Sequence, residues 1–470
     1  MSKANIGLVG LGTMGAMLAL NIADNGYSVA VYNRTTSKTD SFMDEAGELT
    51  DRLHPHHSLD ALVAGIESPR NIILMVPAGE TVDAQIAQLL PLLDPDDMII
   101  DAGNANFHDT QRRAAEAQAA GRPYLGIGVS GGAEGARFGP SIMGGGQRAD
   151  WDRVAPILEA ISAKYEGLPC ATWMGEGGAG HFVKTVHNGI EYADMQLIAE
   201  SYGVMRDGLG MTADACGDVF AGWNEGLLKS YLIEISANVS KATDPLTDLP
   251  MLDVILDRAG QKGTGRWTAI ESQMVGAPVP VIEAAVAARN LSAARDLRLA
   301  GAAAFADVKP DHTVDVTPQD LEQALIAGKI MCYAQGFALL SKAGEEYGWS
   351  LPMPDIAKVW REGCIIRSAM LNDMATALEE DADRNLVLVP HFRNLIAANL
   401  PGLRKTTIAA QSAGLPVPAF SSAIAYFDML SSARTTANML QAQRDYFGAH
   451  GFERVDRDGD HHGPWLGQHL

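Results

Sequence analysis

Five residues in the stretch GAGHFVKTVHNGIEY could share one piece of chemistry: Lys184, His187, Asn188, Glu191 and Tyr192. At roughly 100° per residue on a helix they fall within an arc of about 140°. Phe182, Val186, Ile190, Ala193 and Leu197 take the opposite side. An amine, a carboxyl, an imidazole and an amide crowded on one arc can exchange protons and hydrogen-bond a bound molecule. The same pattern also describes a solvated helix face with incidental side-chain pairs, so the elements around it have to decide.

A second set of residues points to a nucleotide. The run NIGLVGLGTMG places Gly10, Gly12 and Gly15 in G-x-G-x-x-G spacing, directly after a strand and opening a helix. Such a turn must be tight, must let a pyrophosphate approach the backbone, and offers it the free N–H groups of a helix N-terminus. The next strand ends in Asn33, Arg34 and Thr35 where an NAD site carries an acid. A guanidinium can pair with a 2′-phosphate and no carboxylate repels it, which favours NADP. Asn104 in DAGNANF and Ser130, Gly131 and Gly132 in GVSGGAEGA end further strands. In an open parallel sheet, ligands bind outside those ends. The loop GQKGTGRWT carries Lys262, Thr264 and Arg266 without Walker spacing; it suits a phosphate monoester or simply caps a helix.

The elements that must position these groups change character near residue 178. Before it, strand-like runs at 5–10, 28–33, 71–76, 98–103, 124–129, 141–146 and 171–175 alternate with helical patterns. That alternation predicts an α/β, Rossmann-type, doubly wound domain over 1–178. Alanine-rich helical segments such as 280–306 follow, giving a large all-α domain over 179–440. Residues 441–470, rich in Gly, His and Asp, read as a short C-terminal tail without a packed core.

A net charge of −21 argues against a nucleic-acid partner and makes any clustered cations informative. Four cysteines without C-x-x-C spacing suggest neither disulfides nor zinc, and no signal or membrane run stands out; a cytoplasmic protein is expected. The histidines of HPHH (54–57), with His461 and His462, lack a ligand frame and read as exposed loop or tail, so no metal is expected.

Taken in order, GVSGGAEGARFGPSIM, GAGHFVKTVHNGIEYADMQLI, GQKGTGRWTAIES, EGCIIRSAML, PAFSSAIAYFDML and QAQRDYFGAH resemble the long, decarboxylating 6-phosphogluconate dehydrogenases across nearly the whole chain. The resemblance implies oxidation of 6-phosphogluconate to ribulose 5-phosphate and CO₂ with NADP⁺, a step of the pentose phosphate pathway. It implies Lys184 as general base and Glu191 as general acid, with the substrate held by Asn104, Ser130, Gly131, Gly132, His187, Asn188, Tyr192, Lys262, Thr264 and Arg289. Arg444 and His450 would reach the neighbouring subunit's site, which implies a homodimer. The cofactor set it implies is Gly10, Gly12, Met14, Gly15, Asn33, Arg34, Thr35, Val76 and Asn104. Pro77 and Ala133 stand where the family carries a lysine and a glutamate; Ala102, Ala105 and Arg266 also depart from it. Loss of the lysine weakens phosphate attraction, so some NAD use is expected. A non-decarboxylating β-hydroxyacid dehydrogenase and a non-catalytic NADP-binding protein are the competing readings.

Overall fold

The computed structural model describes residues 3–261, 263–308 and 310–465. Two compact units emerge, Met1–Ala423 and Ile424–Leu470.

The first unit begins with an eight-stranded sheet. Its strands are β1 (Ile6–Val9), β2 (Val29–Tyr32), β3 (Leu53–His56), β4 (Asn71–Leu74), β5 (Met98–Asp101), β6 (Tyr124–Val129), β7 (Ile142–Gly146) and β10 (Ala171–Gly175). The strands β8 (Lys164–Tyr165) and β9 (Leu168–Pro169) form a separate small hairpin. The sheet order is β10-β7-β6-β5-β4-β1-β2-β3, parallel except where β7 runs against β6. Apolar runs such as IGLV in β1 are wholly buried because helices cover both faces. The chain leaves β1 towards β2 and β3, then returns to β4 on its other side. That reversal opens a crevice beyond the carboxyl ends of β1 and β4.

Strand β3 corrects the expectation of a loop over His54–His56, whereas His57 lies exposed just beyond it. The run LHPH lacks a strand's composition, and Pro55 argues against a central strand. It is tolerated because β3 lies at the sheet edge, paired only with β2.

Helices build the rest of this unit. Helix Pro318–Tyr347 has 30 residues, of which 18 are buried. Thr317 opens it with a capping box shared with Asp320, and Gly348 closes it at φ 70°. By length and composition it could cross a membrane, contrary to the sequence expectation, yet it lies inside the protein. Packed against it are helices Pro390–Ser412 and Ala179–Gly203. The segment 280–306 is not one helix: it divides into Pro280–Ala293 and Arg295–Ala304.

The second unit, by itself, also departs from expectation, since the supposed tail has an ordered centre. Helix Ala437–Gly448 presents Asp445, fully buried. Its carboxylate accepts hydrogen bonds from the N–H of Gly451 (3.0 Å) and Gly463 (2.8 Å), from Trp465 Nε1 (2.8 Å) and from His462 Nδ1 (2.6 Å). A polar composition hid this, because the organising group is a carboxylate and not an apolar core. The strands β11 (Phe452–Glu453) and β12 (Asp460–His461) pair antiparallel between these contacts.

Candidate active site

Helix Ala179–Gly203 is buried on nearly every side, 19 of its 25 residues being inaccessible. Its polar arc is therefore no solvated face, and its glycine-rich start explains how it gets so close to the sheet. A Cβ on Gly180 would meet the carbonyl of Gly126 at 2.7 Å and the nitrogen of Gly145 at 2.6 Å. On β6, Gly128 gives room in the same way to the side chain of Lys184, a role that the sequence pattern YLGIGV did not advertise.

Lys184 Nζ donates to Ser130 Oγ at 2.8 Å and lies 3.2 Å from His187 Nδ1. Ser130 Oγ is 3.2 Å from His187 Nε2, and His187 Nδ1 is 3.1 Å from Asn188 Oδ1. One assignment of protons satisfies three of these contacts in series. Lys184 donates to Ser130, the serine hydroxyl donates to Nε2, and Nδ1–H donates to Asn188. Burial pushes the Lys184 amine below its usual range, although Glu191 opposes the shift. Burial and then the charge of Lys184 push His187 far down, so this imidazole is neutral and holds instead of titrating. Its 3.8 Å approach to Glu191 is consequently not an ion pair. Burial raises the Glu191 carboxyl, against the pull of Lys184 and Arg289.

Around this centre, Gly131 adopts φ 109°, and a Cβ there would strike the carbonyl of Gly363 at 2.6 Å. The following Gly132 opens helix Gly132–Phe138. Loop 361–369 thus backs the site, bringing Cys364, whose thiol burial pushes up to about 12, into the electrostatic field of Lys184. The ring of Trp360 lies 5.9 Å from that of His187. Arg289 stacks on the ring of Tyr192 at 3.6 Å and donates to the carbonyl of Gly260 at 3.3 Å. The first residue of helix Thr264–Val275, Thr264, follows the left-handed Gly263. Lys262 lies outside the described residues.

A cleft of about 660 Å³ runs from the first glycine turn to this helix, lined on one side by Gly12, Met14 and Gly15 and on the other by Thr264 and Trp267. Val76, Pro77 and Asn104 also line it. Gly10 takes φ 103°, and an ideal Cβ on Gly12 would meet nothing within 4 Å, so a side chain there would project into open space. Free backbone N–H groups at the start of helix Thr13–Asp24 suit a pyrophosphate in that space. Asn33 Oδ1 accepts from the N–H of Leu11 at 3.0 Å, tying the turn to β2. Arg34 is exposed, and helix Thr36–Glu45 carries no acid in its first turn. These features fit the adenosine half of an NADP molecule.

Arg444 and His450 belong to the second unit, where Arg444 donates to Gln441 at 2.8 Å. No group of three or more His, Cys, Asp or Glu able to hold a metal occurs among the described residues.

The chain matches two family models: "NAD binding domain of 6-phosphogluconate dehydrogenase" over residues 5–175 and "6-phosphogluconate dehydrogenase, C-terminal domain" over 180–465. It is 48% identical over 470 residues to the NADP(+)-dependent, decarboxylating 6-phosphogluconate dehydrogenase of Bacillus subtilis, covering 99% of this chain and 100% of that one. To the NAD(+)-dependent, decarboxylating enzyme of the same organism it is 45% identical, covering 98% and 99%. Among solved structures, Plasmodium falciparum 6-phosphogluconate dehydrogenase, described in apo form, with its cofactor NADP+ and with its substrate 6-phosphogluconate, superposes with a TM-score of 0.94. That protein is 42% identical, with 98% of this chain and 100% of that one covered.

Proposed function

This chain belongs to the 6-phosphogluconate dehydrogenase family, and we propose that it oxidises and decarboxylates 6-phosphogluconate with Lys184 and Glu191 moving the protons. The observation that carries the assignment is the buried Lys184–Ser130–His187 cluster, with the raised Glu191 carboxyl beside it.

Burial lowers the pKa of the Lys184 amine and so enlarges its free-base fraction, which lets Lys184 take the proton of the substrate's 3-hydroxyl. A bound NADP⁺ would supply the acceptor for the hydride leaving C3. The product is a β-keto acid, from which CO₂ leaves as electrons pass into a C2=C3 enol. Lys184, now protonated, gives its proton to the former ketone oxygen. Glu191, whose carboxyl burial biases towards the protonated form, protonates the carbon that lost CO₂ while Lys184 takes back the enol O–H proton, and C3 of the original numbering becomes the 2-ketone of ribulose 5-phosphate. Ser130, His187 and Asn188 orient Lys184 and the sugar hydroxyls. Arg289, with Tyr192, Thr264 and Lys262, serves the phosphate. On this reading residues 1–178 bind cofactor, 179–440 bind substrate, and 441–470 serve the partner's site.

NADP is the preferred cofactor, supported by the exposed Arg34 and the acid-free start of helix Thr36–Glu45. Pro77 in the cleft, and an NAD(+)-dependent relative at 45% identity, support some use of NAD⁺. A homodimer completed by Arg444 and His450 is part of the proposal. It is supported by apolar side chains left bare on the first unit, among them Leu246 (90% exposed) and Val308 (71%). A cytoplasmic location accords with four free, buried cysteines. An assay with 6-phosphogluconate that follows reduced cofactor and CO₂ together tests the activity. Release of a stable 3-keto acid would instead favour a non-decarboxylating enzyme, and cofactor binding without turnover would favour a silent one.

A further inference from the structure

The cofactor cleft has two lips, and one polar contact outside the catalytic cluster joins them. One lip follows β5: Asn104, Asn106 and Asp109 line the cleft at the start of helix Phe107–Ala119. The other is the first turn of helix Thr264–Val275, through Thr264 and Trp267. His108 stands in the first turn of the former helix, where its N–H donates to the capping Asn106 at 2.9 Å. Glu271 stands two turns beyond Thr264 on the latter. Across the gap His108 Nε2 lies 2.9 Å from a Glu271 carboxylate oxygen, and Tyr347 Oη donates to the other oxygen at 3.0 Å.

The burial is lopsided. The Glu271 side chain is 5% exposed, whereas that of His108 is 55% exposed. A carboxylate so buried needs its partners, and losing one leaves a costly orphan. Phe107 supports the contact from below, its ring 4.9 Å from Phe182 on the lysine-bearing helix and 5.2 Å from Tyr347. Because a helix is stiff, fixing Glu271 fixes Thr264 and Trp267 as well. Because Asn106 caps the other helix, fixing His108 fixes the loop that presents Asn104.

We propose that His108 and Glu271 are positioning residues that set the separation of the two lips, and so the affinity for the dinucleotide between them. The inference rests on the cofactor site described above. It assigns neither residue contact with the reacting atoms.

Calorimetric titration with NADP⁺, alongside steady-state kinetics, tests it on the full chain. His108→Ala should raise the Kd for NADP⁺ by about threefold to tenfold, the exposure of His108 keeping the loss modest, with kcat within about twofold of wild type. His108→Gln, which keeps an N–H donor, should recover most of the affinity. A Kd unchanged in His108→Ala, or a glutamine variant no better than the alanine, would overturn the proposal. Failure of the catalytic reading is separable: a wild type that binds NADP⁺ without turning over 6-phosphogluconate refutes that reading, while the titration series still decides the pair.

Discussion

Lys184 and Glu191 have their proton affinities moved in opposite directions by the same burial. For Lys184 the shift is downward from 10.5, so the free amine persists to lower pH than an exposed lysine allows. For Glu191 it is upward from 4.5, so the acid persists to higher pH. Activity should therefore fall on the acid side as Lys184 protonates and on the alkaline side as Glu191 ionises, a bell-shaped kcat profile. Glu191→Gln should lower kcat and abolish the dependence assigned to that acid; an unaltered profile would remove Glu191 from the mechanism. Lys184→Ala should cut kcat by about a thousandfold or more while NADP⁺ still binds, since the proposed mechanism uses the amine in more than one proton transfer per turnover. The grouping of these residues was legible in the sequence because they lie on one helix. Gly128 and Cys364, by contrast, sit in the separate runs GVSGGAEGA and EGCIIRSAML, and only the fold brings them to Lys184. The pairing of His108 with Glu271 spans 163 positions and was equally hidden.

At the scale of elements, Glu200 shows how a buried acid couples helix to helix. It lies on helix Ala179–Gly203 and accepts from the N–H groups of Ala419 (2.8 Å) and Phe420 (3.0 Å), which open helix Pro418–Leu430. Burial raises its carboxyl from 4.5 to about 7, although those N–H groups favour the charged form. An acid whose folded pKa is raised favours the folded state when protonated, so stability falls as pH rises from 4.5 to about 7, by up to ~3 kcal/mol. Glu200→Gln keeps an acceptor for the helix and removes the titration. Denaturant unfolding across that pH range should give a flatter curve for the variant; an equal slope would show that Glu200 does not carry the effect. The strands of the sheet were legible from their apolar runs, β3 excepted, because an edge strand needs little apolar character. Burial of the lysine-bearing helix was not, since its period describes one polar and one apolar side whether the polar side meets water or a closed site.

On the scale of the molecule, the acidic surface makes a phosphorylated sugar acid an unwelcome ligand except where cations gather. If Arg444 of a neighbouring subunit supplies one such cation, Arg444→Ala should raise KM by the worth of a charge-assisted contact, ~1.5–3 kcal/mol, with a smaller effect on kcat. An unchanged KM would count against an intersubunit phosphate site. Within the second unit, Asp445 is the organising residue. Burial raises its carboxyl, but the N–H of Gly463, with His462, Gly451 and Trp465, outweighs that and holds it well below the carboxylate range. Asp445→Ala should accordingly expose residues 449–465 to proteolysis. The composition of that segment concealed an ordered unit, because glycine, histidine and aspartate resemble a loose tail until one carboxylate is seen to gather them. The central claim, that this chain removes a hydride and CO₂ from one substrate, is tested most directly by supplying 6-phosphogluconate and NADP⁺ and recording NADPH and CO₂ together. Equal amounts of the two products, both lost in Lys184→Ala, are predicted; NADPH without CO₂, or neither product from wild type, would contradict it.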